Sequence, residues 1–499
     1  MASTSEDAQI STPLPSETFV ERTMPQILRF PDLLAIFIIA IFYITNATIA
    51  VPGGATAYIY WLVGGITFFL PCAIAVAQLG ILFPGEGSLY NWTHRIIGPY
   101  WAFFAGTCYW FPCIIILVST ADTIVTYIQG LNTTWLAEPW QQGLAIVAII
   151  ILSGVLACQR SRMVQILINF AAILISASTL LIILSAVLWL VSGHKYATSF
   201  SRPSDWSVNP QNFGIFSLVA LALLGTNVPL NMGGEIVGNR TKQGQTAISR
   251  HILLGTLLIF VGYLAVTFAL QVVQGPINGA SPFALISTVD MVLGKGIGDV
   301  VVICIMCSFL IATMMYNASF SRLLLIGAVD KRLPASVGRL NAKRVPANAV
   351  IFQTGIAIGI VIIGFILLPY SFLKMVSPAI LATEFYNVGL AFVSIVWALI
   401  TLFFYVELLL LCVRKPWVMD SHRIFPWWMI WFAIVIGPIG CLATITGALL
   451  YSWIPQQIPN GVWFGIISVL LLVTTTIVGI GSMYATSQVA YETLLDEEA

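Results

Sequence analysis

Long apolar stretches separated by short polar connections run through nearly the whole chain. Each approaches or exceeds the length of about 20 residues that an α-helix needs to cross a bilayer. Twelve can be drawn, at 32–56, 58–82, 99–128, 141–158, 163–192, 213–237, 248–274, 297–326, 347–368, 385–412, 427–451 and 461–484. The pattern predicts an all-α polytopic membrane protein with about twelve transmembrane helices. A further short helix is expected over one mouth of the bundle, between Ser281 and Lys295.

Two of these stretches carry interruptions with nearly the same letters. Residues 45–54 place Thr-Asn ahead of Pro-Gly-Gly, and residues 226–234, which begin 181 positions later, place Thr-Asn ahead of Pro and Gly-Gly. Proline removes a helical donor and paired glycines permit unwinding, so both helices are predicted to open there. Opened backbone at membrane depth is tolerated where it lines a cavity or is buried in protein.

The constant offset predicts an internal repeat. One unit would cover about 32–192 and the other about 213–412, with two peripheral helices at about 427–484. Five helices per unit, an odd number, would give the two units opposite orientations in the membrane, with broken helices 1 and 6. The transport domain is expected at 29–486, between a disordered cytoplasmic tail, 1–28, and an acidic cytoplasmic tail, 487–499.

Composition excludes a soluble protein. Hydrophobic residues make up 59% of the chain and charged ones 8%, with a mean hydropathy of +0.95. A net charge of +1 gives no reason to expect nucleic acid as a partner. Of the 21 Lys and Arg residues, 17 fall in connections on the side of the two termini. By the positive-inside rule, both termini are cytoplasmic in a multi-pass protein of the plasma (inner) membrane.

No constellation typical of an enzyme is present. The four histidines lie in or near connections and far apart, and the eight cysteines form no disulfide or metal framework, so we expect neither catalysis nor a cofactor. Ionisable residues inside membrane stretches are the default functional candidates. Asp122 and Glu384 are therefore candidates for an ion site or a relay, although a structural role at a helix end is the simpler explanation for each.

The interruptions themselves predict a binding site. A half-helix that starts within the membrane offers free N–H groups to a carboxylate, and one that stops there offers carbonyls to an ammonium group. A zwitterionic amino acid satisfies both. Side chains that could add hydrogen bonds are Thr45, Asn46, Thr48, Thr226 and Asn227. The simpler alternative is that proline and glycine only kink two ordinary helices.

Four further motifs resemble one family. Residues 83–92 (FPGEGSLYNW), 109–113 (YWFPC), 235–240 (EIVGNR) and the span from Ser321-Arg322 to Pro346 are similar to signatures of the amino acid–polyamine–organocation (APC) superfamily. The resemblance covers most of residues 30–485. It implies a leucine-transporter-like 5+5 inverted repeat, alternating access, and substrate held at the two breaks. The site it implies consists of Tyr43, Thr45, Asn46, Ala47, Thr48, Pro112, Cys113, Leu221, Leu224, Gly225, Thr226 and Asn227.

The chain also departs from that family. The usual Gly-Ser/Thr-Gly of the first helix falls on residues 45–47, which leaves the substrate open and makes a glutamate/GABA-exchanger-like branch conceivable. Ala172 stands where some proton-coupled relatives carry lysine, and Leu221 where some exchangers carry a gating aromatic. Sodium coupling would use hydroxyls of the eighth helix, for which the candidates are Ser308, Thr313 and Ser319.

The sequence therefore predicts an amino acid permease, as a coupled transporter or an antiporter. Its partners would be an amino acid substrate, H+ or Na+ or a counter-transported amino acid, and the lipid bilayer. Because few charges lie deep in the spans, a neutral or mildly polar amino acid is favoured. The alternatives are a polyamine or amine carrier, which would need several carboxylates in the pocket, and an amino acid sensor that transports nothing.

Overall fold

The computed structural model describes residues 14–132, 134–208, 213–371 and 378–498. Within these ranges the chain is helical and forms no β-strand beyond a single bridge between Leu28 and Ile236. The first half contains α1 Pro15–Thr23, α2 Phe30–Ile41, α3 Asn46–Gly53, α4 Thr56–Leu82, α5 Ser88–Ile96, α6 Pro99–Leu131, α7 Pro139–Ala157 and α8 Ser161–Val191.

The second half repeats this order and adds helices at its end. It contains α9 Gly214–Ala222, a 3-10 helix Val228–Glu235, α10 Lys242–Val273, α11 Gly275–Asn278, α12 Ala284–Leu293, α13 Lys295–Val329, α14 Ala347–Leu367, α15 Pro378–Arg414, α16 Pro416–His422, α17 Trp427–Leu450 and α18 Asn460–Glu498. A further 3-10 turn, Pro203–Trp206, lies in the connection between the halves.

Eleven of the twelve predicted membrane spans are confirmed. Ten described helices are long and apolar enough to cross a bilayer, and α2 with α3, bent by 44°, makes an eleventh. The remaining predicted stretch, 213–237, consists of α9 and the 3-10 helix, each too short to cross alone. Helix α12 is the short helix expected after Ser281. The all-α architecture with two five-span units is thus the predicted one.

Both helices break, but earlier in the sequence than predicted. The first break comprises residues 42–45 and the second residues 223–227, so in each case unwinding precedes the proline. Pro229 instead stands in the first turn of the 3-10 helix Val228–Glu235, where a missing N–H costs nothing, and Pro52 stands in the 3-10 turn Val51–Gly53 that ends α3. Gly54, with φ +55°, ends the first span rather than interrupting it. The expectation that residues 52–54 open the helix is therefore wrong.

The paired glycines of the second signature serve close packing. A Cβ on Gly233 would overlap the backbone of Gly85, and one on Gly234 would overlap Val20. The residue that needs glycine at the break itself is Gly225, whose φ of +107° suits no L side chain well. The 3-10 helix can therefore lie directly against the 83–87 turn.

Residues 14–28 differ from the disordered tail expected from their polar composition. Helix α1 packs Val20 and Met24 against Leu325, and buries Ser16 and Glu17. Ser16 donates hydrogen bonds to the Asp330 carboxylate from its backbone N–H and its hydroxyl, both at 3.1 Å. A polar segment is ordered here because charged partners on the bundle satisfy it. At the other end, α18 continues through Glu498.

The start and the end of the described chain lie on the same side of the bundle. Ser16 and the carbonyl of Ala485 both contact the turn at Asp330 to Arg332. We call this the terminal side. The opposite side carries α12 and the connection 451–459.

Candidate functional site

A cavity of about 350 Å³ lies at the centre of the bundle. It is lined by the first break, by α6, α9, α13 and α15, and, towards the opposite side, by Pro282 and Trp453. Its polar lining consists of hydroxyl and amide side chains and one carboxylate: Tyr43, Thr45, Asn46, Thr48, Ser119, Thr120, Asp122, Thr123, Thr126, Tyr127, Tyr316, Tyr386 and Asn387, with indole groups of Trp397 and Trp453. Such a cavity suits a small polar molecule with apolar portions.

The first break borders this cavity, and two tyrosine hydroxyls donate hydrogen bonds to backbone carbonyls next to it. Tyr316 donates its hydroxyl to the carbonyl of Ala40 at 2.6 Å, and Tyr263 donates to that of Ile41 at 2.8 Å. The N–H groups of Ile44 and Thr45 have no hydrogen-bond partner among the described residues. The break therefore offers N–H donors more freely than carbonyl acceptors.

The second break lies beneath the cavity and borders a smaller void. Gly225 and Asn227 line that void together with Tyr109 and Trp397. The backbone N–H groups of residues 225–227 likewise lack hydrogen-bond partners within the part of the chain that is described. Unpaired N–H groups at the two breaks can stabilise a carboxylate bound between them.

Aromatic rings close the floor of the cavity. Tyr316, Phe320 and Trp397 stack in parallel, with ring centroids 5.7 to 6.4 Å apart. The indole N–H of Trp397 donates to the carbonyl of Tyr109 at 3.0 Å, which fixes the ring across α6 and α15. These rings separate the cavity from the terminal side.

Below the rings, a buried polar network seals the terminal side, and we call it the seal. Arg322 donates two hydrogen bonds to Glu235, at 3.0 and 3.1 Å, and both side chains are at most 3% exposed. Asn231 accepts a hydrogen bond from Ser88 at 2.7 Å and donates one to Ser319 at 3.3 Å. A further carboxylate, that of Glu86, accepts from the N–H of Gly234 at 2.8 Å.

Helix α1 covers this seal from outside. Glu17 accepts hydrogen bonds from Asn91 at 2.9 Å and from Arg95 at 2.6 and 3.1 Å, with 7% of each charged side chain exposed. Glu21, one turn further, pairs with Arg240 at 2.7 Å, but these side chains are 38% and 57% exposed. The structure is thus closed on the terminal side, and its cavity extends towards the opposite side.

The structure brings only part of the predicted site together. Tyr43, Thr45, Asn46, Thr48, Leu221, Leu224 and Asp122 line the cavity, and Gly225 and Asn227 line the void below it. Ala47, Pro112, Cys113 and Thr226 are buried and line neither, although the thiol of Cys113 lies 3.9 Å from the carbonyl of Tyr316.

The predicted ion-site residues do not converge. Ser308 donates to the carbonyl of Cys304 at 2.8 Å, Thr313 contacts the hydroxyl of Thr120 at 2.8 Å, and Ser319 belongs to the seal. These three hydroxyls and Glu384 lie outside the cavity lining. No group of three or more His, Cys, Asp or Glu side chains that could hold a metal occurs among the described residues.

Apart from Tyr43, sequence reasoning missed the aromatic residues of the site. Tyr316, Tyr386 and Trp397 stand in long apolar helices where nothing in the spacing distinguishes them from lipid-facing aromatics. The seal was visible only as separate motifs, because Glu86, Glu235 and Arg322 are far apart along the chain and meet only when the two units pack together.

Comparison with known proteins agrees with this arrangement. A family profile described as amino acid permease matches residues 32–443. Inner membrane transporter YjeM of Escherichia coli strain K12 is 26% identical over 269 residues, 49% of this chain and 53% of that protein. Serine/threonine exchanger SteT of Bacillus subtilis is 24% identical over 238 residues, 46% and 50% of the two chains. Glutamate/serine transporter AimA of Bacillus subtilis is 22% identical over 321 residues, 60% and 58%.

These matches span about half the length of the curated relatives. Among solved structures, the crystal structure of MhsT in complex with L-phenylalanine superposes with a TM-score of 0.56 at 12% sequence identity. The superposition covers 85% of this chain and 99% of that chain. At this identity the likeness concerns the fold, which is the leucine-transporter-like one predicted from the sequence.

Proposed function

Because the chain belongs to the amino acid permease family of the APC superfamily, we propose that it is a secondary amino acid transporter that works by alternating access. The observation that carries the proposal is the central cavity, which meets the first break and is closed on the terminal side by the seal. The substrate would bind where the two broken helices face each other.

The backbone of the breaks supports an amino acid as substrate. The free N–H groups of residues 44–45 and 225–227 suit its carboxylate. Each carbonyl that accepts a hydrogen bond from Tyr316 or Tyr263 has a second lone pair, which can accept one from the ammonium group of the substrate. Tyr43 carries a buried hydroxyl with no hydrogen-bond partner in the described residues, so it is available to the substrate. Asn46 is a further donor and acceptor in the cavity.

Alternating access would require the seal and the α1 contacts to open as a unit. In this state they close the terminal side, so the structure corresponds to the conformation that loads from the opposite side. With Lys and Arg concentrated on the terminal side, that side is proposed to be the cytoplasm and the membrane the inner membrane.

Exchange is the mode of coupling that we favour. The hydroxyls of Ser308, Thr313 and Ser319 donate to three separate carbonyls and lie outside the cavity lining, so the described part of α13 shows no converging set of these oxygens for sodium. A relative named as a serine/threonine exchanger supports the same mode. A counter-transported amino acid would then be the second partner.

Uptake of radiolabelled amino acids into vesicles containing the purified protein tests the proposal. We expect accumulation that requires an amino acid inside the vesicles and that does not respond to imposed proton or sodium gradients. The Asn46→Leu/Asn227→Leu variant should abolish uptake, because bulky apolar groups would then stand at both breaks. Binding without flux would indicate a sensor, and flux of amines but not amino acids would indicate an amine carrier; either result would overturn the proposal.

A further inference from the structure

The described lining of the cavity contains an acidic side chain and no basic one. Among the described residues that line it, Asp122 is the sole ionisable group apart from tyrosines, and none is a Lys, Arg or His. Glu384, the other carboxylate singled out from the sequence, lies outside the lining. An anionic group would therefore meet one uncompensated negative charge in the cavity, and a cationic group would be attracted to it.

The Asp122 carboxylate is also unpaired. No hydrogen bond or ion pair to it occurs among the described residues, although hydroxyls surround it. Thr123 donates its hydroxyl to the carbonyl of Ser119 at 2.9 Å, and Thr120 donates to that of Ile116 at 2.9 Å. Ser119 and Tyr386 bond to each other at 2.8 Å. A carboxylate in such a site is stabilised by a ligand that brings positive charge and N–H donors.

Its position along α6 separates it from the breaks. Ile116, which lines the cavity on the same helix, precedes Asp122 by six residues, a rise of about 9 Å along the helix. Pro282 and Tyr127, near the opposite side, share the upper lining with Asp122. A ligand held by the breaks reaches this carboxylate only through an extended chain.

We propose that Asp122 binds the side-chain cation of a dibasic amino acid and is the residue that determines the specificity of the cavity. The proposal rests on the proposed function, because it assumes that the α-ammonium and α-carboxylate groups occupy the breaks. An ammonium group at the end of several methylenes, or a guanidinium, brings the positive charge and the N–H donors that this carboxylate lacks, at a distance from the α-carbon. The apolar lining at Ile116 and Phe309 suits the methylenes.

Paired probes that differ in one charge test this inference. Lysine is compared with norleucine, and arginine with citrulline, by competition against radiolabelled lysine and by direct uptake into vesicles. In the wild type we expect each cationic member to bind at least tenfold more tightly than its neutral partner. Asp122→Asn should remove at least tenfold of that preference and leave the affinity for norleucine and citrulline within about twofold of the wild type, since the breaks are untouched.

A second carboxylate provides the matched control. Asp299 is exposed at the start of α13 and does not line the cavity, so Asp299→Asn should keep the wild-type preference. Equal preference for neutral and cationic probes in the wild type, with transport intact, would overturn the inference and leave the proposed function standing. If wild-type uptake does respond to a sodium or proton gradient, and Asp122→Asn abolishes that response without a change in preference, Asp122 serves an ion and the inference is overturned as well. Absence of flux for every amino acid would instead overturn the proposed function.

Discussion

Neutralising Glu17 should loosen the terminal side of the transporter. The Glu17→Gln substitution keeps the shape of the side chain but removes its charge from a pair with Arg95 in which each side chain is only 7% exposed. Removing one partner of a buried ion pair costs about 3–5 kcal/mol, and we take about 3 because glutamine retains one acceptor. A change of about 3 kcal/mol corresponds to a factor on the order of 100 in an opening equilibrium.

Hydrogen exchange of the protein in lipid nanodiscs, followed by mass spectrometry, measures that equilibrium. Peptides covering 84–96 and 228–240 contain the parts of the seal that lie directly beneath α1. We expect their exchange to become on the order of 100-fold faster in Glu17→Gln, because closing these segments depends on the pair. Initial rates of exchange transport should change in the same variant, since opening of the terminal side is one step of the cycle.

Glu21→Gln is the matched control on the same helix. Its partner Arg240 is 57% exposed, and exposed pairs contribute about 0–1 kcal/mol, so exchange should change by less than about fivefold. If Glu17→Gln accelerates exchange only within residues 14–24 and leaves the two seal segments unchanged, then α1 is a passive attachment. That result would refute the reasoning that α1 holds the terminal side closed.

Three further predictions address the site, the packing and the response to pH. Tyr316→Phe removes the hydroxyl that donates to the carbonyl of Ala40, at the end of α2 just before the first break, and should weaken substrate binding by at least tenfold. Tyr58→Phe, whose hydroxyl has no partner among the described residues, should not; equilibrium binding compares the two. Gly440→Ala places a Cβ onto backbone of α4 and should destabilise by about 1–3 kcal/mol, while Gly465→Ala meets nothing within 4 Å; equal melting temperatures would contradict this. Burial, with nearby arginine cations, lowers the pKa of His94 to about 4. The unfolded chain therefore binds the proton first, and the folded state loses stability as the pH drops from about 6.5 towards 4. Melting temperatures of His94→Gln should fall less steeply over that window.

The site was predictable in outline and not in detail. Thr45, Asn46 and Thr48 were found because an interrupted apolar stretch is a local pattern. The placement of the breaks before the prolines was not found, since a proline can either end one helix or begin the next, and the choice depends on what it packs against. Gly233 illustrates this: its role follows from the neighbouring turn at Gly85 and not from the letters around it.

Asp122 shows that the preferred substrate, too, differs between the sequence and the structure. From the sequence it was one carboxylate near a helix end, and a neutral substrate was favoured because deep charges are few. In the structure its side chain lines the cavity, and no Lys, Arg or His is among the described lining residues, so a cationic group becomes the better complement. One face of a membrane helix lines the cavity, another contacts neighbouring helices and a third contacts lipid. When all three faces are mostly apolar, hydropathy does not tell which of them lines the cavity.

The sequence by itself determined the membrane spans, the repeat, the fold and the family, because these depend on the length and period of apolar stretches and on local motifs. Only the tertiary structure decided which polar groups meet. The seal joins Glu86, Glu235 and Arg322 across the two units. Helix α1 is ordered because its polar residues bind Arg95 and Asp330. Long-range pairing in a low-dielectric interior is set by packing between helices, which local periodicity does not encode.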